Sequence, residues 1–237
     1  CMTHLTPSIK KSMLRILNTV GENYWFMDEN KAPCCGRPLM LAGQYDAAQK
    51  LIDNNTKMIL DSGAKRLLVT CPICYKVFKE DYKLPDVEVV HHSEYILELV
   101  KSGRLKVNPS DLRAVYHDPC ELGRGSHIYD QPRELLSSPL TLVPMARERE
   151  KALCCGGSLA NTKISMAERD VLAGKAMEEF ASYNPDVVVT SCPLCKKTFA
   201  KVNSVAMCSS PICLSIMRRT RCLTMWQLTA SRGELSM

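Results

Sequence analysis

The chain has 237 residues, of which 46% are hydrophobic and 24% charged, and its formal net charge is +6. This composition is typical of a globular protein with one large or two medium domains. Half of the excess positive charge lies in the stretch 205–237, and no basic stripe is interleaved with aromatic residues. The composition therefore excludes a nucleic-acid-binding surface.

The longest uncharged run, residues 202–217, is 16 residues long and contains proline and several polar residues. Since a membrane-spanning helix needs about 20 apolar residues, no membrane span is predicted. The thirteen cysteines are odd in number and include two adjacent pairs and two Cys-x-x-Cys pairs. This pattern favours reduced, metal-binding thiols over the disulfide framework of a secreted protein. We expect a cytoplasmic protein, peripheral to a membrane only through partners.

The first half of the chain alternates between helical and strand patterns. Apolar residues at helical spacing predict a helix from Thr6 to Gly21, and a short apolar run, Tyr24–Met27, predicts a strand. His91 and His92 follow a later strand, so we expect them in a cap or at the surface. The remaining predicted elements are helix 44–62, strand 66–70, a short helix after Pro72, strand 87–90 and helix 94–102 capped by Ser93.

The second half repeats this alternation. The predicted elements are strand 112–117, strand 140–145, a helix from the capping box at 165–168 to about 183, and strand 186–190. Strands that alternate with helices predict an α/β fold with parallel sheets, whose ligand sites gather where strands end and helices begin. The predicted domains are 1–108 and 109–204, followed by an irregular tail at 205–237 with no clear period.

Ten of the thirteen cysteines form one motif twice: a single cysteine, then Cys-Cys-Gly, then Cys-x-x-Cys. Corresponding cysteines are 119, 120 and 121 positions apart, and so small a drift indicates an internal duplication. The second copy has a strand directly before its first cysteine, and we expect that the matching strand of the first copy has been cut away. The copies are Cys1, Cys34, Cys35, Cys71 and Cys74, then Cys120, Cys154, Cys155, Cys192 and Cys195.

The motif suits a metal centre with several metal atoms. Thiolates are soft ligands for iron–sulfur clusters, zinc and copper(I), and a helix N-terminus lowers the pKa of a thiol placed there. Five sulfurs exceed the four of a tetrahedral zinc site or an ordinary cubane cluster. We expect Gly36 and Gly156 to relieve the backbone beside the adjacent cysteines by adopting positive φ.

The doubled Cys-Cys-Gly motif, with His117-Asp118-Pro119-Cys120-Glu121-Leu122-Gly123-Arg124, resembles the CCG cysteine-rich domain family over residues 1 to about 203. This family includes the B-type and D-type components of heterodisulfide reductase. It also includes iron–sulfur subunits of glycolate oxidase, lactate-utilisation and anaerobic glycerol-3-phosphate dehydrogenase systems. The resemblance implies two tandem repeats with short parallel sheets flanked by helices and related by a pseudo-twofold axis.

The resemblance also implies one non-cubane [4Fe–4S] cluster on each set of five cysteines. Gly36, Gly156 and Arg124 would lie beside the clusters, and the chain would reduce a small-molecule disulfide or pass electrons to another redox carrier. Where relatives continue with more glycines, this chain has Gly157-Ser158-Leu159-Ala160. The ferredoxin module of D-type relatives is not in this sequence, so electrons would enter from a missing segment or from another subunit, which the resemblance implies is a flavoprotein or a ferredoxin-type iron–sulfur subunit.

Several alternatives stay open at this point. The cysteines could be buried apolar thiols, could hold structural zinc in one half as part of a scaffold, or could exchange disulfides without metal. The chain could also only relay electrons for a flavin-dependent 2-hydroxyacid or glycerol-3-phosphate dehydrogenase. His117 could donate a proton beside the second cluster or fix a loop by hydrogen bonding. Arg124 could offset cluster charge, bind an anionic substrate, or lie in a solvated loop.

Overall fold

The computed structural model describes residues 6–29, 33–157 and 164–202, together with the backbone of three strands in the tail. The helices of this part are α1 (Pro7–Thr19), α2 (Arg37–Leu41), α3 (Tyr45–Asp61), α4 (Pro72–Glu80), α5 (His92–Lys101), α6 (Gly123–Ser126), α7 (Asp130–Ser137), α8 (Met166–Ser182) and α9 (Pro193–Val202), with one 3-10 turn at Arg149–Lys151. The strands are β1 (Arg66–Val69), β2 (Glu88–His91), β3 (Arg113–His117), β4 (Thr141–Leu142), β5 (Val187–Thr190), β6 (Met207–Ser209), β7 (Ser215–Arg218) and β8 (Arg221–Thr224).

The first repeat contains a two-stranded parallel sheet. Strands β1 and β2 pair in register from Arg66 opposite Glu88 to Val69 opposite His91. Helix α4 connects them, as the crossover between parallel strands requires. Both strands end at the same edge of the sheet, and that edge leads directly to Cys71.

The second repeat contains a four-stranded parallel sheet in the order β4-β3-β5-β6. Its central pair, β3 and β5, runs from Ala114 opposite Val187 to His117 opposite Thr190. All four residues of β5 are buried, as expected for a strand covered by neighbours and by helices. The predicted α/β fold, with two short parallel sheets flanked by helices, is therefore confirmed.

Two of the apolar core clusters combine residues of both repeats. One buried cluster joins α1 and α5 of the first repeat to Leu135 of α7 in the second. Another surrounds α4 of the first repeat and includes Leu122 and Ile128 of the second. A surface ion pair, Lys101 to Glu134 at 2.7 Å, lies along the same α5–α7 contact.

Most predicted elements are confirmed, among them α1, α3, β1, β2, β3, β5 and the capping box of α8. In that box, Glu168 N–H donates to Ser165 Oγ at 3.3 Å and Ser165 N–H donates to Glu168 Oε2 at 2.7 Å. The strand predicted at Tyr24–Met27 is wrong, because these residues pair with no strand in the described part of the chain. Trp25 is instead 51% exposed.

Two further predictions are corrected. The cap of α5 is His91 rather than Ser93. Of the cap or surface position expected for His91 and His92, the cap is confirmed for His91, and both side chains are fully buried. The strand expected at 140–145 is only Thr141–Leu142. Within the tail, the described backbone forms strands β6, β7 and β8; the rest of 205–237, expected to be irregular, lies outside the described residues.

Helices α2, α6 and α7 were not predicted. The first two are only 5 and 4 residues long, too short to show a helical period. Among the described residues, none of the helices combines the length and apolar content that crossing a membrane requires.

Candidate functional site

Each Cys-x-x-Cys pair lies where a parallel strand passes into a helix. Cys71 is the N-cap of α4, with extended backbone angles, and its carbonyl accepts a hydrogen bond from Tyr75 N–H at 2.9 Å. In the second repeat, the Cys192 carbonyl accepts from Lys196 N–H at 3.1 Å. Both pairs therefore lie in the first turn of a helix, where free N–H groups and the helix dipole stabilise thiolate charge.

Each Cys-Cys-Gly segment makes a tight turn on a glycine with positive φ. Gly36 has φ +94° and Gly156 has φ +77°, which confirms the conformation predicted for both. A side chain at Gly156 would also lie 3.1 Å from the carbonyl oxygen of Arg169 on α8, whereas the nearest atom at Gly36 would be 3.8 Å away. The two turns are thus alike in backbone and different in packing.

The first cysteine set, as described, consists of Cys34, Cys35, Cys71 and Cys74; Cys1 lies outside the described residues. These thiols form a chain of contacts that runs from Cys34 to Cys35 to Cys74 to Cys71. Hydrogen bonds from Cys34 and then Cys74 lower the pKa of Cys35 to about 3. The same contact with Cys35 raises the pKa of Cys34, so one thiolate is stabilised by the thiols around it.

The second cysteine set consists of Cys120, Cys154, Cys155, Cys192 and Cys195, and all five are described. Their contacts run from Cys120 to Cys154 to Cys155 to Cys195 to Cys192. Hydrogen bonds from Cys120 and then Cys155 lower the pKa of Cys154 to about 2, while contact with Cys154 raises the pKa of Cys155 to about 12. Residues separated by up to 75 positions thus meet in one cluster of sulfurs.

The thiols differ in their access to solvent. Cys34 is exposed and Cys120 and Cys154 are partly exposed, whereas Cys35, Cys155, Cys192 and Cys195 are buried. A surface pocket of about 520 Å³ opens onto Cys154. Its rim carries charges of both signs: Arg147, Lys175, Glu178 and Glu179.

The donor atoms of both sets fit an iron–sulfur centre. All nine cysteines whose side chains are described carry free thiols, and in each set hydrogen bonds link neighbouring thiols. A cationic centre displaces the thiol protons when thiolates bind it. In the described part of the chain, no group of three or more His, Cys, Asp or Glu side chains is arranged to hold a metal ion. The sulfurs of each set contact one another in a chain, from Cys34 to Cys71 and from Cys120 to Cys192.

A buried ion pair holds Cys120 in place. Arg133 on α7 makes a bidentate contact with Asp118, with Nη1–Oδ1 at 2.6 Å and Nη2–Oδ2 at 2.7 Å. Arg149 N–H donates to the same carboxylate at 2.8 Å. Asp118 precedes Cys120 by two residues, so this network fixes the turn that carries the thiol. The sequence motif includes Asp118 but holds no signal for Arg133, which lies in a helix that was not predicted.

Arg124 stabilises the loop that leads to Cys154 through hydrogen bonds to its backbone. Its Nη1 group donates to the carbonyls of Glu150 at 3.0 Å and Ala152 at 2.8 Å. This structural role was not among the alternatives considered from the sequence. A further role beside a cofactor stays a prediction.

His117 is 1% exposed and lies edge-on to Phe199, with ring centroids 4.9 Å apart. Burial lowers the pKa of His117 to about 4. Its Nε2 atom has no hydrogen-bond partner among the described residues. Neither a proton-donor role nor loop fixation by hydrogen bonding is tested by these contacts, and both stay predictions.

Comparison with known proteins agrees with this arrangement of cysteines. The family defined by the CCG cysteine-rich domain matches residues 1–79 and 114–200, once in each repeat. The chain belongs to this family.

Its relatives include several named oxidoreductases and iron–sulfur proteins. The D-type component of the dihydromethanophenazine:CoB–CoM heterodisulfide reductase of Methanosarcina acetivorans is 32% identical, over 77% of this chain and 47% of that protein. An iron–sulfur protein of Methanocaldococcus jannaschii is 34% identical, over 80% of this chain and 37% of that one. The EtfAB:quinone oxidoreductase of Syntrophomonas wolfei is 28% identical, over 79% and 28% respectively.

The chain spans about half the length of the heterodisulfide reductase components it matches. Among solved structures, an aspartate racemase homologue from Pyrococcus horikoshii has 15% sequence identity and a TM-score of 0.35, over 86% of this chain and 88% of that one. So low a score supports no argument about function.

Proposed function

We propose that this chain is the iron–sulfur part of an oxidoreductase of heterodisulfide-reductase type. The contact between Cys120 and Cys154 carries the proposal, because it joins the isolated cysteine of the second motif to the other four. A set of five contacting sulfurs has more donors than one zinc ion or one ordinary cubane cluster takes. The relatives named as iron–sulfur proteins and heterodisulfide reductases support the same assignment.

In this proposal, the second cysteine set holds one [4Fe–4S] cluster of non-cubane type. The first set, completed by Cys1, holds another. A bound cluster supplies one-electron chemistry and a soft site for sulfur. Gly36 and Gly156 shape the turns that present adjacent thiols, Arg124 braces the loop before Cys154, and the pair Asp118–Arg133 positions Cys120.

The substrate class follows from the same proposal. A small-molecule disulfide that takes up two electrons and two protons is released as two thiols. The pocket beside Cys154 offers access to the second set and has cationic and anionic groups on its rim. The electrons would come from a partner, either a flavoprotein or a ferredoxin-type iron–sulfur subunit.

Reciprocal cysteine variants test the cluster assignment. After anaerobic purification, the unaltered chain is expected to hold about eight iron atoms, four for each cluster. The Cys155→Ala variant is expected to lose the second cluster and keep about half of the iron. The Cys35→Ala variant, its counterpart in the first repeat, should lose the other half. A full iron complement in Cys155→Ala would refute the assignment, and stoichiometric zinc without labile sulfide would show a zinc module.

A second measurement separates disulfide reduction from electron relay. In the reduced protein, the electron-paramagnetic resonance signal is expected to change when a thiol product is added, because the thiol would reach the second cysteine set. A signal that added thiol leaves unchanged, but that reoxidation by a flavoprotein abolishes, would identify the chain as an electron relay only.

A further inference from the structure

Gly157 directly follows the second Cys-Cys-Gly turn, and its backbone conformation does not require glycine. Gly156 has φ +77°, a value that residues with a side chain rarely adopt, whereas the φ of Gly157 lies outside the left-handed region. An alanine could therefore take up the backbone conformation of Gly157 without strain. Whether a side chain fits at this position depends only on its neighbours.

Helix α9 occupies the space that a side chain at position 157 would need. A Cβ atom added to Gly157 would overlap Thr198 Oγ1 and would lie 3.3 Å from Thr198 Cβ and 3.4 Å from Leu194 Cγ. Thr198 is 8% exposed, and its hydroxyl donates to the Leu194 carbonyl at 2.9 Å, so this oxygen is held in place. The backbone at Gly157 therefore packs directly on α9.

The N–H group of Gly157 faces the second cysteine set. It donates to Cys155 Sγ at 3.4 Å. Contact with Cys154 raises the pKa of Cys155 to about 12, and the Gly157 N–H acts in the opposite direction because it stabilises the thiolate. Cys155 is only 3% exposed, so water hardly competes for this sulfur. Hydrogen bonds to ligand sulfurs are among the factors that set the reduction potential of an iron–sulfur cluster.

The first repeat has the same backbone donor with a different neighbour. Arg37 follows the first Cys-Cys-Gly turn as Gly157 follows the second, and its N–H also bonds the sulfur of the second cysteine, Cys35. Neighbouring thiols lower the pKa of Cys35 most, and the Arg37 N–H adds to this effect. The residue of α4 that corresponds to Thr198 is Val77, which has no hydroxyl. The amide donor is thus common to both repeats, while the close packing on a threonine belongs to the second.

We propose that Gly157 is a positioning residue of the second cysteine set. Its N–H stabilises negative charge on the Cys155 sulfur, and its contact with Thr198 holds that N–H at the distance the hydrogen bond requires. The proposal rests on the proposed function, because the property it concerns is the reduction potential of a cluster on the second set. Reduction adds negative charge, so the hydrogen bond would make that potential less negative.

The Gly157→Ala variant tests the proposal, because the added methyl group would push the backbone away from Thr198 and the N–H away from Cys155. In the anaerobically purified protein, we expect the reduction potential of the second cluster, titrated with electron-paramagnetic resonance detection, to become more negative. In the metal-free protein, we expect the protection of the 157 amide against hydrogen exchange, followed by NMR, to fall about tenfold or more. Adding Thr198→Ala makes room for the methyl group and should restore both quantities.

Gly174→Ala is the matched control, since no atom of the described residues beyond its own helix backbone lies within 4 Å of a Cβ at that position of α8. It should change neither quantity. If Gly157→Ala leaves both quantities as in the unaltered chain, the proposal is wrong. If Gly157→Ala loses the second cluster, its recovery on adding Thr198→Ala supports the proposal, and its continued loss contradicts it. Should the unaltered chain bind no iron, the proposed function fails, and amide protection in the metal-free protein alone decides whether Gly157 is held against Cys155.

Discussion

At the scale of single residues, the contacts of Asp118 determine where Cys120 lies. The carboxylate is 3% exposed at its side chain and is bound by both Nη atoms of Arg133 and by the backbone N–H of Arg149. Every oxygen of this buried charge therefore has a partner. Removing one partner of such a pair costs far more than removing an exposed one, because the other charge stays buried.

The Arg133→Met variant tests this network. It keeps the length of the side chain but leaves the Asp118 carboxylate without its counter-charge, so we expect a loss of about 3–5 kcal/mol in the free energy of unfolding. Chemical denaturation measures it. Lys101→Met breaks the exposed pair with Glu134 and should cost only about 0–1 kcal/mol. Adding Asp118→Asn to Arg133→Met should restore part of the loss, and a single-variant loss no larger than that of Lys101→Met would contradict the argument.

His91 links stability to pH. Burial, and then the charge of His92, lower the pKa of His91 well below its ordinary value of 6.5. Its Nδ1 atom also accepts a hydrogen bond from Ser93 N–H at 3.4 Å and so caps α5. Below pH 6.5 the unfolded chain takes up a proton at this residue and the folded chain does not. The free energy of unfolding therefore has its full value above pH 6.5 and falls as the pH decreases.

The His91→Asn variant keeps a capping acceptor but cannot titrate. We expect its free energy of unfolding to depend less steeply on pH below 6.5, by up to about 1.4 kcal/mol per pH unit, the contribution of one proton. Denaturation series between pH 5 and 8 measure this slope. His117, whose pKa is also lowered by burial, leaves part of the dependence in place. An unchanged slope would mean that His91 is protonated in the folded state.

At the scale of elements, the two Cys-Cys-Gly turns form a natural matched pair. Both glycines adopt positive φ, but only Gly156 packs closely against a helix, 3.1 Å from the Arg169 carbonyl oxygen. An alanine at Gly36 has only the strain of the left-handed conformation to overcome, which is about 1–2 kcal/mol. An alanine at Gly156 adds a steric conflict with α8.

We therefore expect Gly156→Ala to reduce the free energy of unfolding by more than Gly36→Ala, by about 1 kcal/mol or more beyond the shared strain. Urea denaturation of the two variants side by side measures the difference. Equal losses would show that α8 moves aside without cost. A larger loss of unfolding free energy in Gly36→Ala than in Gly156→Ala would show that the close contact with the Arg169 carbonyl does not limit substitution at Gly156.

The helices, strands and turns that depend on local sequence could be predicted, whereas the contacts between distant segments could not. The Cys-x-x-Cys helices, the strands before them and the capping box of α8 depend on neighbours within one or two turns, and all were predictable. The turns at Gly36 and Gly156 were predictable because only glycine adopts positive φ readily. Tyr24–Met27 has a strand-like composition, but a strand also requires a partner, which composition does not reveal. The Arg133–Asp118 pair and the burial of His91 arise from packing between distant segments and leave no local pattern.

At the scale of the whole molecule, the two repeats share their apolar core. Leu135 of the second repeat is 5% exposed and packs in a cluster otherwise built by α1, β2, α5 and Leu105 of the first. Leu122 and Ile128 of the second repeat likewise pack in the buried cluster around α4 of the first repeat. Because residues of the second repeat complete the apolar core of the first, the two should unfold together.

The Leu135→Ala variant tests this coupling. The cavity it leaves is expected to cost about 2–5 kcal/mol of the free energy of unfolding. In the Trp226→Phe background, Trp25 emission reports on the first repeat and far-ultraviolet circular dichroism on the whole chain. Both transitions should move together to lower denaturant. Leu172→Ala, at a side chain 39% exposed, should cost much less. A shift of only one transition would mean that the repeats unfold independently.

The pairing of β6 with β5 has a consequence for solubility. β5 is a run of three valines and a threonine, and β6 covers one of its edges through Val188, Val189 and Thr190. Without β6, this β-branched run would present bare amide and carbonyl groups to solvent, the kind of edge on which separate molecules assemble. By pairing with β5, the backbone of β6 therefore protects this edge from intermolecular strand pairing.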